Sequence, residues 1–385
     1  MTTQAEVIIV GGGPAGLSTA LHLVQQDAAW AGRILVLEKA RYPRPKLCGG
    51  GITRPGLDVL AELGLTPALS TVPMQRVLLR YRQRTYFLEG DPVFTVVHRP
   101  EFDAWLAQEA RARGIVIQQD AGVTQVQVHD AGVRVQAGAR TYQARALVAA
   151  DGSNSVVRRQ LRWGAGHKAR LLEIFTPGNA ADEHFRLGHA LFDWTPLDGG
   201  VQGYYWTFPG LVAGQPMLNR GLFDAGVLPQ KNRPSLKKLL AQCLARDGLN
   251  LADYQLKGHP IHWWTPDSQL ARNRVLLVGD AAGVDPFLGE GIAFALGYGQ
   301  VAAQALVAAH RAQDYSFGDY TQRVRQHWLT QQLHARYLGA RLAFGTLRWP
   351  LLTRALWWAA PPLFRALAAA RPQYFPLDKK EMLRG

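Results

Sequence analysis

An apolar run at Ala5–Val10 ends abruptly in Gly11-Gly12-Gly13-Pro14-Ala15-Gly16, and a helical pattern follows from Pro14 to Gln26. A strand feeding a helix through three glycines is the first half of a β-α-β unit, and Ile34–Glu38 reads as its second strand. In such a unit Gly11 permits the tight turn and Gly13 lets the backbone approach a pyrophosphate. Gly16 lets the helix pack closely on the sheet. The amides at the helix start, around Ala15, then face the phosphates. Glu38 closes the second strand 22 residues beyond Gly16, where a carboxylate accepts hydrogen bonds from an adenosine ribose. The expected site is one for an adenosine dinucleotide.

Two further segments narrow the choice of dinucleotide. Val148-Ala149-Ala150-Asp151-Gly152-Ser153-Asn154-Ser155 ends a strand in a sharp polar turn, with Arg158 following. Val275-Leu276-Leu277-Val278-Gly279-Asp280 ends another, followed by Pro286, Gly289 and Gly291 and then a small-residue helix to Ala309. Between these lie a Pro/Gly-rich loop (Tyr42–Pro55), a helix after Pro100 with Phe102, Trp105, Leu106 and Ala110 on one face, and a hairpin around Asp130–Gly132. From about Gly164 to Asp267 aromatics, prolines and short strands dominate. One amphipathic helix there carries Leu236, Leu240, Cys243 and Leu244. The expected architecture is α/β: a Rossmann-like domain interleaved with a mixed-sheet substrate domain and closed by a helical C-terminal region. Its divisions fall at 1–75, 96–163 and 269–318 for the dinucleotide domain, 76–95 and 164–268 for the substrate domain, and 319–385 for the C-terminal region.

The three motifs together resemble the flavoprotein group that includes para-hydroxybenzoate hydroxylase, geranylgeranyl reductases and flavin-dependent halogenases, over roughly residues 5–310. The resemblance implies that the cofactor is FAD and that Asp280 bonds its ribityl chain. Gly291 and Ile292, at a helix start, would face the flavin pyrimidine edge, where the positive end of the helix favours anionic reduced flavin. Arg99, Val123, Asp151 and Gly289 fall near the cofactor in the same comparison.

Within that group the chain is similar to the geranylgeranyl reductases. Pro45-Lys46-Leu47-Cys48-Gly49-Gly50-Gly51 resembles their Lys-x-Cys-Gly-Gly loop, and Tyr204-Tyr205-Trp206-Thr207-Phe208-Pro209 their Tyr-x-Trp-x-Phe-Pro pocket motif. Gly289-Glu290-Gly291-Ile292 also looks like theirs. Leu218-Asn219-Arg220-Gly221 departs from their glycine-rich strand, which leaves the substrate less defined than the chemistry. Cys48 has two readings, a catalytic thiol against the flavin or a small side chain packed in a crowded loop. Tyr204, Trp206 and Phe208 alternate along a strand and share a face. That face lines a substrate pocket or packs the second lobe.

The implied function is an FAD-dependent reductase saturating carbon–carbon double bonds of a polyprenyl lipid or quinone chain. The alternative is an FAD-dependent monooxygenase acting on a quinone, aromatic or polyketide. No second glycine fingerprint follows a strand, so NADPH would bind transiently, or another donor would supply the electrons. The histidines show no metal-ligand spacing, and no metal is expected.

Charge and cysteine content bear on location. Cys48 and Cys243 are the only cysteines and make no disulfide framework. The first residues lack the pattern of a signal peptide, so the cytoplasm is expected. The chain carries +14, of which residues 321–385 hold +9, from eleven Lys/Arg against Asp378 and Glu381. No nucleic-acid-binding motif accompanies them. Trp328, Trp349, Trp357 and Trp358 lie among the basic residues, a mixture suited to an anionic membrane surface. Arg354, Arg365 and Pro361-Pro362 argue against a span over Trp349–Ala370. Two short helices in the interface, or a tail packed on the second lobe, are the alternatives. Peripheral attachment at the inner face of the membrane is the expectation.

Overall fold

The computed structural model describes residues 2–164 and 166–358. Its centre is a six-stranded sheet in the order Ala271–Arg272, Val275–Leu277, Ala146–Ala149, Val7–Val10, Ile34–Leu37, Val116–Gln118. All neighbours are parallel except the first pair. The three strands read as unbroken apolar runs (Val7–Val10, Ile34–Leu37, Ala146–Ala149) are buried along their length, as a parallel sheet covered on both faces requires.

The predicted helix over Pro14–Gln26 is present with those bounds. It packs against the helix Ile292–Ala312, and the two approach closely where Gly299 lies on Ser18 and Thr19. Ile292–Ala312 is long and apolar enough to cross a membrane, but 83% of its most apolar window is buried in the protein. It is a core helix. Pro14–Gln26, Arg54–Glu62 and Arg99–Ala112 each carry proline in the first turn, where its missing N–H loses no helix bond. In Arg99–Ala112 the face of Phe102, Trp105, Leu106 and Ala110 is buried, as its spacing predicts.

The hairpin Val123–His129/Gly132–Ala137 belongs to a small separate sheet with Arg140–Ala144 and Thr2–Gln4. The second lobe is an eight-stranded sheet in the order Lys257–Trp263, His167–Pro177, Gln215–Asp224, Gly203–Val212, His189–Asp193, Thr71–Tyr81, Arg84–Val97, Gly51–Thr53. The helix Leu236–Arg246 covers one face of it, with Leu236, Leu240, Cys243 and Leu244 buried. The helix Trp328–Gly345 and the helical residues 350–358 follow. Pro361-Pro362, Arg365 and the rest of the basic tail lie outside the described residues.

Candidate active site

The glycine turn is built by close approach. Gly11 has φ +106°, and a Cβ there would stand 2.3 Å from the Ala150 carbonyl oxygen; a Cβ on Gly16 would stand 2.1 Å from the Gly11 oxygen. The turn and the helix therefore seat directly on two strand ends. Buried Glu38 accepts the Gly12 N–H at 2.9 Å and the Ala40 N–H at 3.0 Å. Arg44, which no motif singles out, bridges Glu38 (3.3 Å) and buried Asp103 (3.2 Å), and the Tyr42 hydroxyl donates to the Gly12 carbonyl. The Pro/Gly-rich loop is thus fastened to the glycine turn through side chains of its own.

The other strand ends converge on the same place. Asp151 Oδ2 accepts the N–H groups of Val156 (2.6 Å) and Val157 (3.1 Å), so this carboxylate starts the short helix Val156–Gln160, while its buried Oδ1 has no partner. Burial raises its pKa against those hydrogen bonds. The Ser153 hydroxyl donates to Asp280 Oδ2 at 3.0 Å, and Arg158 donates to the Ala281 carbonyl at 3.0 Å, which locks the two turns together. Gly291 caps the helix Ile292–Ala312, so the positive end of a 21-residue helix points at this site.

Every site residue predicted from the sequence lines one cavity of about 1410 Å³, except Gly16, which lies beneath its floor in the helix–sheet contact. Gly11, Gly13, Ala15, Glu38, Val123, Asp151 and Asp280 line it beside Gly289, Gly291, Ile292, Arg99 and the Cys48–Gly49 turn. Tyr204, Trp206 and Phe208 form another wall of the same space. Aromatics that sequence reasoning passed over complete that wall. Phe192 stands 4.9 Å from Tyr204 and 5.0 Å from Phe208, Trp194 stands 5.0 Å from Tyr204, and Phe94 stands 5.4 Å from Phe208. Their signal was weak because they come from strands that meet only in the folded sheet.

Cross-strand register explains the Leu218–Gly221 departure. Tyr204 pairs with Phe223, Trp206 with Gly221 and Phe208 with Asn219, so all six occupy one face. The Trp206 ring lies across Gly221, where a Cβ would meet it at 2.2 Å. Asn219 accepts the indole N–H at 2.6 Å and donates to the Cys48 carbonyl at 3.3 Å. Cys48 itself is half-buried on the cavity wall, its sulfur accepting the Gly50 N–H at 3.4 Å. Arg99 is buried and held bidentate by Asp103 at 2.8 and 3.0 Å. Burial opposes its charge, but Asp103 and then Cys48 outweigh it and raise its pKa.

Residues 4–181 match the FAD binding domain family. The chain is 30% identical over 333 residues to the menaquinone reductase of Mycobacterium tuberculosis, covering 79% of this chain and 76% of that protein. The chain belongs to the geranylgeranyl reductase-like family of FAD-dependent oxidoreductases. It is 27% identical over 345 residues to digeranylgeranylglycerophospholipid reductase 1 of Methanothermobacter thermautotrophicus, covering 84% and 81% of the two chains. A geranylgeranyl bacteriochlorophyll reductase-like protein from Thermoplasma acidophilum has the same fold, with a TM-score of 0.73 at 23% identity over 90% and 88% of the chains. So does PqsL, a probable FAD-dependent monooxygenase from Pseudomonas aeruginosa, with a TM-score of 0.68 at 17% identity over 92% and 100%.

The donor set fits the family's cofactor. A left-handed glycine turn, an open face at Gly13, a buried carboxylate at Glu38 and the unpartnered Asp151 Oδ1 together suit a dinucleotide diphosphate and its sugars. Asp280 and the helix start at Gly291–Ile292 stand on the same cavity for the ribityl and pyrimidine parts.

The C-terminal region also reaches this cavity. Arg336, on Trp328–Gly345, pairs with fully buried Asp285 and, at 2.6 Å, with Glu290 of the Gly-Glu-Gly-Ile turn. Asp285 in turn accepts the Phe287 N–H at 2.7 Å and the Leu288 N–H at 3.2 Å. Trp357 packs 5.2 Å from Trp194 and 5.5 Å from Tyr81 and lines the cavity. Leu338, Leu342, Trp349, Leu351, Leu352, Leu356 and Trp358 are exposed, seven of the nine large apolar side chains exposed among the described residues. An apolar rim therefore surrounds the place where Leu342, Leu356 and Trp357 open onto the cavity.

Proposed function

We propose that the protein saturates carbon–carbon double bonds in the polyprenyl chain of a lipid or quinone. One observation carries the reading: the cavity that holds the dinucleotide-binding residues continues between Tyr204, Trp206, Phe208 and Trp194 to the exposed apolar rim at Leu342 and Leu356. An isoprenoid chain is apolar along its length and needs such a channel, with its polar head left outside. The two sequence relatives support the reading, being named as reductases of menaquinone and of a digeranylgeranyl phospholipid.

Reduced FAD supplies the hydride. The chain's residues do the rest. Val123, Asp280 and the start of Ile292–Ala312 hold the cofactor, and the aromatic walls exclude water from the prenyl chain. The faces of Tyr204, Trp206 and Phe208 offer ring quadrupoles to positive charge developing on an isolated alkene. Cys48 carries a proton on Sγ at the boundary between the cofactor residues and the aromatic wall. Electrons arrive from NADPH or another carrier that binds transiently. The rim at 338–358, with Arg341, Arg348 and Arg354 beside it, docks the protein on the anionic inner face of the membrane. Anaerobic reoxidation of the reduced enzyme by a prenyl quinone, with saturation of the chain, is the test.

A further inference from the structure

Glu173 is a carboxyl with 1% exposure, and neither of its oxygens has a hydrogen-bond partner. It sits on His167–Pro177, whose alternate residues Leu171 and Glu173 share one face, and Leu171 lines the large cavity. Register makes its position specific. Trp206 pairs with Gly221, Gly221 with Glu173, and Glu173 with Lys257, so the four form one row across the sheet. The row starts at the aromatic wall and ends at an exposed lysine. Gly221 carries no side chain to separate the Trp206 ring from Glu173.

A second cavity of about 310 Å³ lies behind the Pro45–Gly49 turn and is lined by Glu173, Asn219 and Lys257. Cys48 and Gly49 line both cavities and form the partition between them. The charged or titratable groups facing Glu173 are Lys46 and Lys257, with Arg44, His98 and Arg99 elsewhere on the second cavity. The Asn219 amide and the Cys48 N–H lie nearest the carboxyl. The buried acid thus stands one turn of chain away from the thiol on the reaction side.

We propose that Glu173 is the proton reserve of the active site, a positioning residue that returns a proton to Cys48 after the thiol has given one to the substrate. This rests on the reductase reading, in which each saturated bond consumes one hydride, from reduced flavin, and one proton. In the return step the O–H bond of Glu173 breaks and an S–H bond forms on Cys48, with no electrons exchanged between residues. Glu173 regains its proton from water through the second cavity, on the side of Lys257. The acid is suited to this. Burial pushes its pKa up to about 7, against the opposing pull of Asn219, the Cys48 N–H, Lys46 and Lys257, so it holds a proton near neutrality and releases it readily.

Three measurements on FAD-loaded protein test the assignment. With dithionite-reduced enzyme and a prenyl quinone under nitrogen, wild-type reoxidation should slow as pH rises through about 7. Glu173→Gln should be at least about tenfold slower below that pH and flat across it, and Glu173→Asp should recover part of the rate. No wild-type reoxidation would overturn the reductase reading and this proposal with it; an unchanged rate and profile in Glu173→Gln would overturn the Glu173 assignment alone. Alkylation of Cys48 by iodoacetamide at about pH 8, where Glu173 is ionised, should be about threefold faster in Glu173→Gln, because a carboxylate opposes the thiolate. Equal rates would overturn the link between the two residues, whatever the substrate. Melting gives the third readout. The benefit of the neutral carboxyl is full below its unfolded value and is lost as pH rises through about 7. Glu173→Gln should therefore melt higher than wild type above that pH, and a lower melting point there would contradict a buried acid ionising in place.

Discussion

The indole N–H of Trp206 donates to Asn219 Oδ1 over 2.6 Å. Both groups are buried, and the other end of the same amide reaches the Cys48 carbonyl. A residue on the substrate wall and a residue on the cofactor-side loop are therefore held by one side chain. Asn219→Leu keeps the volume but leaves a buried indole N–H and a carbonyl unpaired. It should cost about 1–3 kcal/mol of stability in thermal or urea unfolding. It should also slow reoxidation by substrate while FAD content stays near that of wild type.

Cys48 stands at the cavity wall with its sulfur near Gly50 and Arg99. Cys48→Ser should reduce turnover at least about tenfold, about 1.4 kcal/mol in the barrier, with FAD retained. Asp280→Ala should do the reverse, weakening FAD retention on gel filtration. FAD rather than FMN should be released on denaturation, because Glu38 and the glycine turn build an adenosine diphosphate site. Full activity in Cys48→Ser would favour the packing role for this thiol.

Arg336 ties the C-terminal helix to the Gly289–Ile292 turn through Asp285 and Glu290. Arg336→Met removes the positive partner of two buried carboxylates, a change that typically costs about 3–5 kcal/mol. The variant should melt at a lower temperature and bind FAD more weakly, because the turn at the cofactor loses its anchor. Adding saturating FAD should recover part of the melting temperature.

The exposed rim makes a separate prediction. Full-length protein should float with liposomes containing anionic lipid, and recovery should fall as salt rises. Leu342→Glu together with Leu351→Glu changes two exposed side chains, at 73% and 78% exposure. The double variant should lose most flotation while keeping FAD and its melting temperature. Unchanged flotation would remove the rim from the docking surface.

The dinucleotide half of this protein was legible because its residues are local. A glycine turn, its strand and its helix occupy 20 consecutive positions, and each has one steric job. The spacing from Gly16 to Glu38 then follows from the length of a helix and a strand. The substrate half was legible only where a strand showed its alternation, as in Tyr204, Trp206 and Phe208. Glu173, Asn219 and Phe192 acquire their meaning from register between strands distant in sequence, and periodicity along one strand carries none of that. Leu218–Gly221 read as a departure from the family; in the fold, Gly221 makes room for the Trp206 ring and Asn219 bonds its nitrogen. The tail divided: Arg336 and Trp357 are packed into the molecule, as a covering tail requires, while Leu342 and Leu351 face outward, as a docking surface requires.

The central claim is chain saturation in the aromatic channel, and it is tested most directly under nitrogen. Enzyme reduced with dithionite is mixed with a prenyl quinone, the flavin absorbance is followed, and the quinone is recovered for mass spectrometry. The account predicts that the flavin reoxidises and that the chain gains two hydrogen atoms for each bond reduced. Trp206→Ala should slow that reoxidation without releasing FAD. A flavin that stays reduced until oxygen is admitted, with the product then carrying one added oxygen atom, would contradict the account and assign the site to hydroxylation.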